Sequence, residues 1–168
     1  MWVLRVGVSA GGKEFTTGGR DKRAQVLSRA ATESGLTFPD HQAPVYGEAM
    51  KADVKVGYSA GEDKQIRAWN VTGDQAGKQI RATGGHGKTI TKMIVAPKKP
   101  LLVTARADDT VRTSNEDNVP AIRTLSGHTA HVFALSRSSA RALISPGSVP
   151  VEGTVRQTAH RTGCQAVI

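Results

Sequence analysis

The chain is poor in four things. Aromatic residues are few, with two Trp, two Tyr and three Phe in 168 residues. Such a chain offers few platforms for stacking the bases of a single strand. Cysteine occurs once, at Cys164. This excludes an intrachain disulfide and any cysteine-based zinc site, and the residue reads as a small packing side chain. No apolar stretch approaches the ~20 residues of a membrane helix. The opening Met1-Trp2-Val3-Leu4-Arg5 also lacks the charged leader and apolar run of a secretory signal. No membrane contact is expected, and the default location is the cytoplasm. Acidic residues are the fourth shortage. Residues 1–84 carry 12 basic and 9 acidic side chains, whereas residues 85–168 carry 11 and 5. The net charge of +9 therefore reflects missing acids. Basic residues are scattered, with no block beyond Lys98-Lys99. Weak, salt-sensitive attraction to polyanions is expected, and a dedicated nucleic-acid site is not.

Glycine, by contrast, is frequent, with 18 residues, which suits short strands joined by tight turns. The chain also repeats itself. Gly19-Arg20-Asp21-Lys22-Arg23-Ala24-Gln25-Val26-Leu27 aligns with Gly61-Glu62-Asp63-Lys64-Gln65-Ile66-Arg67-Ala68-Trp69. Arg106-Ala107-Asp108-Asp109-Thr110-Val111-Arg112-Thr113-Ser114 is a third copy, and Glu152-Gly153-Thr154-Val155-Arg156-Gln157-Thr158 a fainter fourth. The anchoring acids Asp21, Asp63, Asp108 and Glu152 are 42, 45 and 44 residues apart. A second marker keeps phase with them: His41, Gly85-His86 and Gly127-His128 lie 22, 22 and 24 residues before the next acid.

A Gly-His marker, an Asp turn and a strand ending in Trp, recurring every ~40–45 residues, resemble the repeats of the WD40 β-propeller family. The likeness is to its bacterial members, some of which are joined to haem-bearing domains. No C-x-x-C-H occurs here, and no cofactor or metal is expected. The resemblance implies an all-β fold of four-stranded antiparallel blades. About four blades are expected, at roughly 1–40, 41–84, 85–126 and 127–168. Val56–Ala60 and Leu101–Ala105 are β-prone runs, and 52–55 and 97–100 fall where a hairpin turn belongs.

The resemblance further implies a buried hydrogen-bonded tetrad of His, Ser or Thr, Asp and Trp in each blade. The second repeat has all four: His41, Ser59, Asp63 and Trp69. The third has His86, Thr104 and Asp108, with Ser114 in the Trp place. The first has Thr17 and Asp21, with Leu27 for Trp. The fourth has His128, then Glu152 for Asp and Thr158 for Trp, with Ser145 or Ser148 as its hydroxyl. Three charges break the pattern. Glu48 and Arg137 occupy places for apolar residues, and Arg106 sits in a stretch of small ones. Such charges lie loosely packed, reach water or find a partner. A catalytic Ser–His–Asp reading is disfavoured, because the trio recurs per repeat and no G-x-S-x-G motif is present.

Residues 82–89, Ala82-Thr83-Gly84-Gly85-His86-Gly87-Lys88-Thr89, match a P-loop apart from Ala82. Gly87, Lys88 and Thr89 would then cradle a nucleotide phosphate. The motif needs a helix after it, but Ile90–Ala96 is β-prone and stops at Pro97. The principal expectation is a non-catalytic scaffold for protein partners of unknown identity, as part of a larger propeller. Nucleotide binding, weak polyanion binding and a decayed reading frame are the alternatives. Four blades suit an open arc, a tight ring, or half of an eight-blade ring shared by two chains. Any open arrangement leaves blade faces bare, so self-association or poor solubility is expected.

Overall fold

The computed structural model describes residues 2–9, 11–30, 35–39, 41–84, 86–96, 101–117, 121–126, 129, 131–136, 156–160 and 163–167. Among these, every regular element is a strand. The first sheet comprises β1 (Val3–Val8), β2 (Glu14–Gly19), β3 (Ala24–Ser28) and β4 (Leu36–Phe38). The second comprises β5 (Val45–Met50), β6 (Val56–Gly61), β7 (Ile66–Asn70) and β8 (Gln79–Thr83). The third comprises β9 (Ile90–Val95), β10 (Leu101–Arg106), β11 (Val111–Asn115) and β12 (Ala121–Leu125). In each sheet the strands lie in chain order and pair antiparallel.

The repeat is written into the backbone. Lys22, Lys64 and Asp109 directly follow the three anchoring aspartates, and all three are left-handed, with φ of 67°, 62° and 64°. That conformation costs an L-residue about 1–2 kcal/mol. The aspartate ahead of it offsets part of this cost by accepting a local amide. Asp63 Oδ1 accepts the Gln65 N–H at 3.2 Å, and Asp108 Oδ1 accepts the Thr110 N–H at 3.3 Å. Bulges recur as well. The register slips between Val3 and Arg5, between Val45 and Gly47, and between Ile90 and Lys92. Counting from these bulges, Val3, Val45 and Ile90 are equivalent positions. So are Val6, Glu48 and Met93, and so are Val8, Met50 and Val95.

The core consists of seams between sheets. In the first seam, Val45, Trp69 and Val71 pack on Ala24, Val26 and Phe38. In the second, Ile90, Met93, Val95 and Leu102 pack on Ala49, Tyr58, Ala60, Ile66 and Ala68. Behind the third sheet, Val103, Ala105 and Val111 pack on Val132 and Leu135. Each large aliphatic side chain so buried contributes about 1.5–3 kcal/mol. Lys51 ties the rim of the second seam, with Nζ 3.0 Å from both Glu116 Oε1 and Asp117 Oδ1.

The fourth repeat departs from expectation. Its described strands are β13 (Ala134–Ser136), β14 (Arg156–His160) and β15 (Gly163–Val167). They form a three-stranded sheet in the order β13-β15-β14, with β13 parallel to β15. A four-stranded antiparallel blade would need one further strand, from the stretch 137–155 that lies outside the described residues. Arg137, Ser145, Ser148 and Glu152 lie outside the described residues, as does His128.

Candidate functional site

The second sheet brings His41, Ser59, Asp63 and Trp69 together in one chain of hydrogen bonds. The indole can only donate and the carboxylate can only accept; with the His41 ring proton on Nδ1, facing Asp63, the Ser59 hydroxyl is left to donate to Nε2. Trp69 Nε1–H donates to Ser59 Oγ at 2.7 Å. The Ser59 hydroxyl then donates to His41 Nε2, also at 2.7 Å. His41 Nδ1–H donates to Asp63 Oδ2 at 2.8 Å. Burial pushes the Asp63 carboxyl up, but hydrogen bonds from His41 and from the Gln65 and Gln42 amides outweigh it and hold the group below its usual range. β6 and β7 present Ser59 and Trp69 on one face, and the loop before β5 carries His41 down onto them. Phe38 of β4 stacks on Trp69, with centroids 4.8 Å apart and planes at 20°.

Taken alone, Ser59, His41 and Asp63 have the connectivity of a nucleophilic triad. Ser59 is 1% exposed, however, and its oxygen already accepts the indole proton. No acyl substrate reaches it, so the arrangement serves to satisfy buried polar groups.

The third sheet does not assemble the same chain. His86 and Thr104 are buried, but among the described residues His86 Nδ1 and Thr104 Oγ1 find no hydrogen-bond partner. Asp108 turns instead to Arg106, whose Nη2 lies 2.7 Å away, and to the Thr110 hydroxyl at 2.6 Å. Burial, reinforced by the charges of Arg106 and Arg112, pushes His86 down to about 4. Arg106, the charge expected to disturb this repeat, is thus buried against the aspartate that His86 would have used. In the first sheet Thr17 is half-buried and Asp21 exposed.

At the P-loop-like segment, β8 ends at Thr83. Gly87 and Lys88 are exposed, and Thr89 leads straight into strand β9. With no helix after the loop, no helix N-terminus is aimed at a bound phosphate there.

No protein-family model matches the sequence, and no curated protein matches it. The folded chain is similar to the structure of U3-55K, with 24% identity and a TM-score of 0.69 over 79% of this chain and 39% of that one. It is also similar to the crystal structure of RRP9 WD40 repeats, with 19% identity and a TM-score of 0.67 over 78% of this chain and 43% of that one. The fold is that of WD40-type β-propeller blades in an open arrangement. The chain spans less than half the length of either structure. Among the described residues, no helix is long and apolar enough to cross a membrane.

Several contacts of the WD40-type blades escape sequence reasoning. Tyr58 stands where the first blade has Thr16 and the third has Val103. It reaches across the second seam, and its hydroxyl donates to the Glu116 carbonyl at 3.1 Å. Trp69 faces the small Thr16 blade, whereas Ser114 faces the Tyr58 blade. Bulk lost from one side of a seam is thus supplied from the other. Comparing volumes at equivalent positions of adjacent repeats would have shown this. Arg81 Nη2 also donates to the Glu116 carbonyl.

Glu48 is the other surprise. It is 3% exposed, yet among the described residues neither carboxylate oxygen has a hydrogen-bond partner. Burial pushes it up to about 7, against the lowering charges of Lys92 and Arg5. Lys92 Nζ is 3.8 Å from Oε1.

Proposed function

We propose that this chain is a non-catalytic WD40-type interaction module, part of a larger propeller of the bacterial type, which associates through its blade faces. One observation carries the reading. Val45, Glu48 and Met50 of the second blade, and Ile90, Met93 and Val95 of the third, are turned into seams by the preceding blade. Their equivalents in the first blade, Val3, Val6 and Val8, are 54%, 56% and 59% exposed. Trp2 beside them is 70% exposed. The first blade therefore shows the side chains of a seam with nothing packed on them. An apolar strip of this kind marks a surface for another protein chain. In a larger propeller a neighbouring blade would cover this strip, and for this chain by itself a second copy can take that place.

Light scattering of the chain tests this. Self-association is expected, and the pair Val6→Lys and Val8→Glu should abolish it without lowering the melting temperature. A monodisperse monomer with a cooperative melt would remove the reading.

A further inference from the structure

Glu48 occupies a position that the repeat does not require to be acidic. Val6 and Met93 hold the equivalent places, and Met93 is fully buried in the next seam. A position that breaks its repeat's local rule is often a functional one. Glu48 reaches from β5 into the junction with the first blade. A Cβ on Gly18 of β2 would come within 3.1 Å of Glu48 Oε2, and one on Gly7 of β1 within 3.8 Å of Glu48 Cγ. These two glycines leave room for the side chain against the backbone of the first blade. The junction is loosely filled there, with a gap of about 10 Å³ lined by Thr16, Phe38, Glu48, Tyr58 and Trp69. The first seam is also less firmly tied than the second. Across the second seam, Tyr58 and Arg81 donate to the Glu116 carbonyl, and Lys51 pairs with Glu116 and Asp117. Among the described residues, the first seam is closed by apolar packing and by Phe38 stacked on Trp69. Partial opening of a fold takes the junction with the fewest ties.

We propose that the first seam is a proton-linked junction: the first blade parts from the second as Glu48 releases its proton to water, and closes again as Glu48 regains it. Closed, the seam surrounds the carboxyl with no hydrogen-bond donor among the described residues, which favours the protonated form. Burial pushes the group from 4.5 up to about 7. Arg5 on β1 and Lys92 on β9 are the charged groups acting on it, and both lower it. Of the other groups lining the gap, Thr16, Gln25, Ser59 and Trp69 do not ionise, and Tyr58 is pushed up to about 12. Opening sets the carboxyl in water, where it ionises near its ordinary 4.5. Between 4.5 and 7 the closed seam therefore binds one more proton than the open one. Opening grows about tenfold per pH unit in this window and levels off above it, where both states are ionised.

Thiol labelling of the full chain tests the proposal. Cys164→Ser removes the native thiol. In that background Ala24→Cys sits in the first seam and Ala68→Cys in the second, and both alanines are buried. Dividing each labelling rate by that of the urea-unfolded chain at the same pH removes the titration of the thiol itself. The Ala24→Cys rate should exceed the Ala68→Cys rate at every pH, rise about tenfold per unit from pH 5 to 7, and then level off. Adding Glu48→Gln, which has no proton to release, should flatten the profile. Adding Lys92→Met, which deletes a cation that lowers the carboxyl, should move the plateau to higher pH. Equal rates in the two seams overturn the proposal, because only whole-chain unfolding would then expose them. A flat profile in the Ala24→Cys chain, a rise that persists in Glu48→Gln, or a plateau at lower pH in Lys92→Met overturns it too. Val26→Cys reports on the same seam if Ala24→Cys fails to fold, and the profile with Glu48 in place decides the matter if Glu48→Gln does.

Discussion

Replacing Glu48 by Met should stabilise the protein, and the gain should depend on pH. Met is what the repeat itself uses at the equivalent place, where Met93 is fully buried. Burial raises the Glu48 carboxyl from 4.5 to about 7. The unfolded chain releases this proton near 4.5, but the folded chain keeps it until about 7. Between those values the folded state binds more protons, so stability falls as pH rises. At pH 8 both states are ionised, and the folded state carries the whole penalty. The difference between 4.5 and about 7 corresponds to about 3 kcal/mol. Glu48→Met removes that penalty. Urea unfolding at pH 4 and pH 8 would measure the difference. The gain should be larger by about 3 kcal/mol at pH 8 than at pH 4, and most of the change should fall between pH 4.5 and 7. An equal gain at both pH values would refute the argument, since it would mean that the carboxylate already finds water or a donor in the folded state.

Two further perturbations bear on the polar chains of the second and third blades. Ser59→Ala takes the acceptor from Trp69 Nε1 and the donor from His41 Nε2, leaving two buried groups unpaired; a loss of about 2–5 kcal/mol is expected in denaturant melts, and a loss under 1 kcal/mol would show that the chain is not buried as described. His86 has the opposite titration sign to Glu48: its folded value is depressed to about 4 from 6.5, so the stability its neutral form supplies above pH 6.5 is lost as pH falls toward 4. His86→Gln should flatten that acid limb by about 3 kcal/mol, as read from melting temperatures across the same range.

Much of the fold was legible because the repeat is a local signal. An Asp-x turn needs only a carboxylate and the amide two residues on, and both are neighbours in sequence. The same holds for the strands around Tyr58 and Leu102, which are bounded by turn residues. The members of the second tetrad were legible for the same reason, since each holds its own place relative to Asp63. What Arg106 does was not legible. Its burial as an unwelcome charge can be read from its flanking alanines. That it takes Asp108 away from His86 depends on side-chain direction in three dimensions.

By itself, then, the sequence determined the element type, the period and the phase. These follow from alternation, turn chemistry and spacing, all of which act over a few residues. Only the tertiary structure decided the seams. Tyr58 offsetting the missing Trp at Ser114, Lys51 reaching Glu116 and Asp117, and Lys92 standing near Glu48 all join residues far apart in the chain. The fourth repeat shows the limit from the other side. Its period persists in the sequence, yet pairing is a contest between whole strands, and β13 joins β15 in parallel. Spacing says where a repeat is due, but which strands pair is settled between residues far apart in the chain.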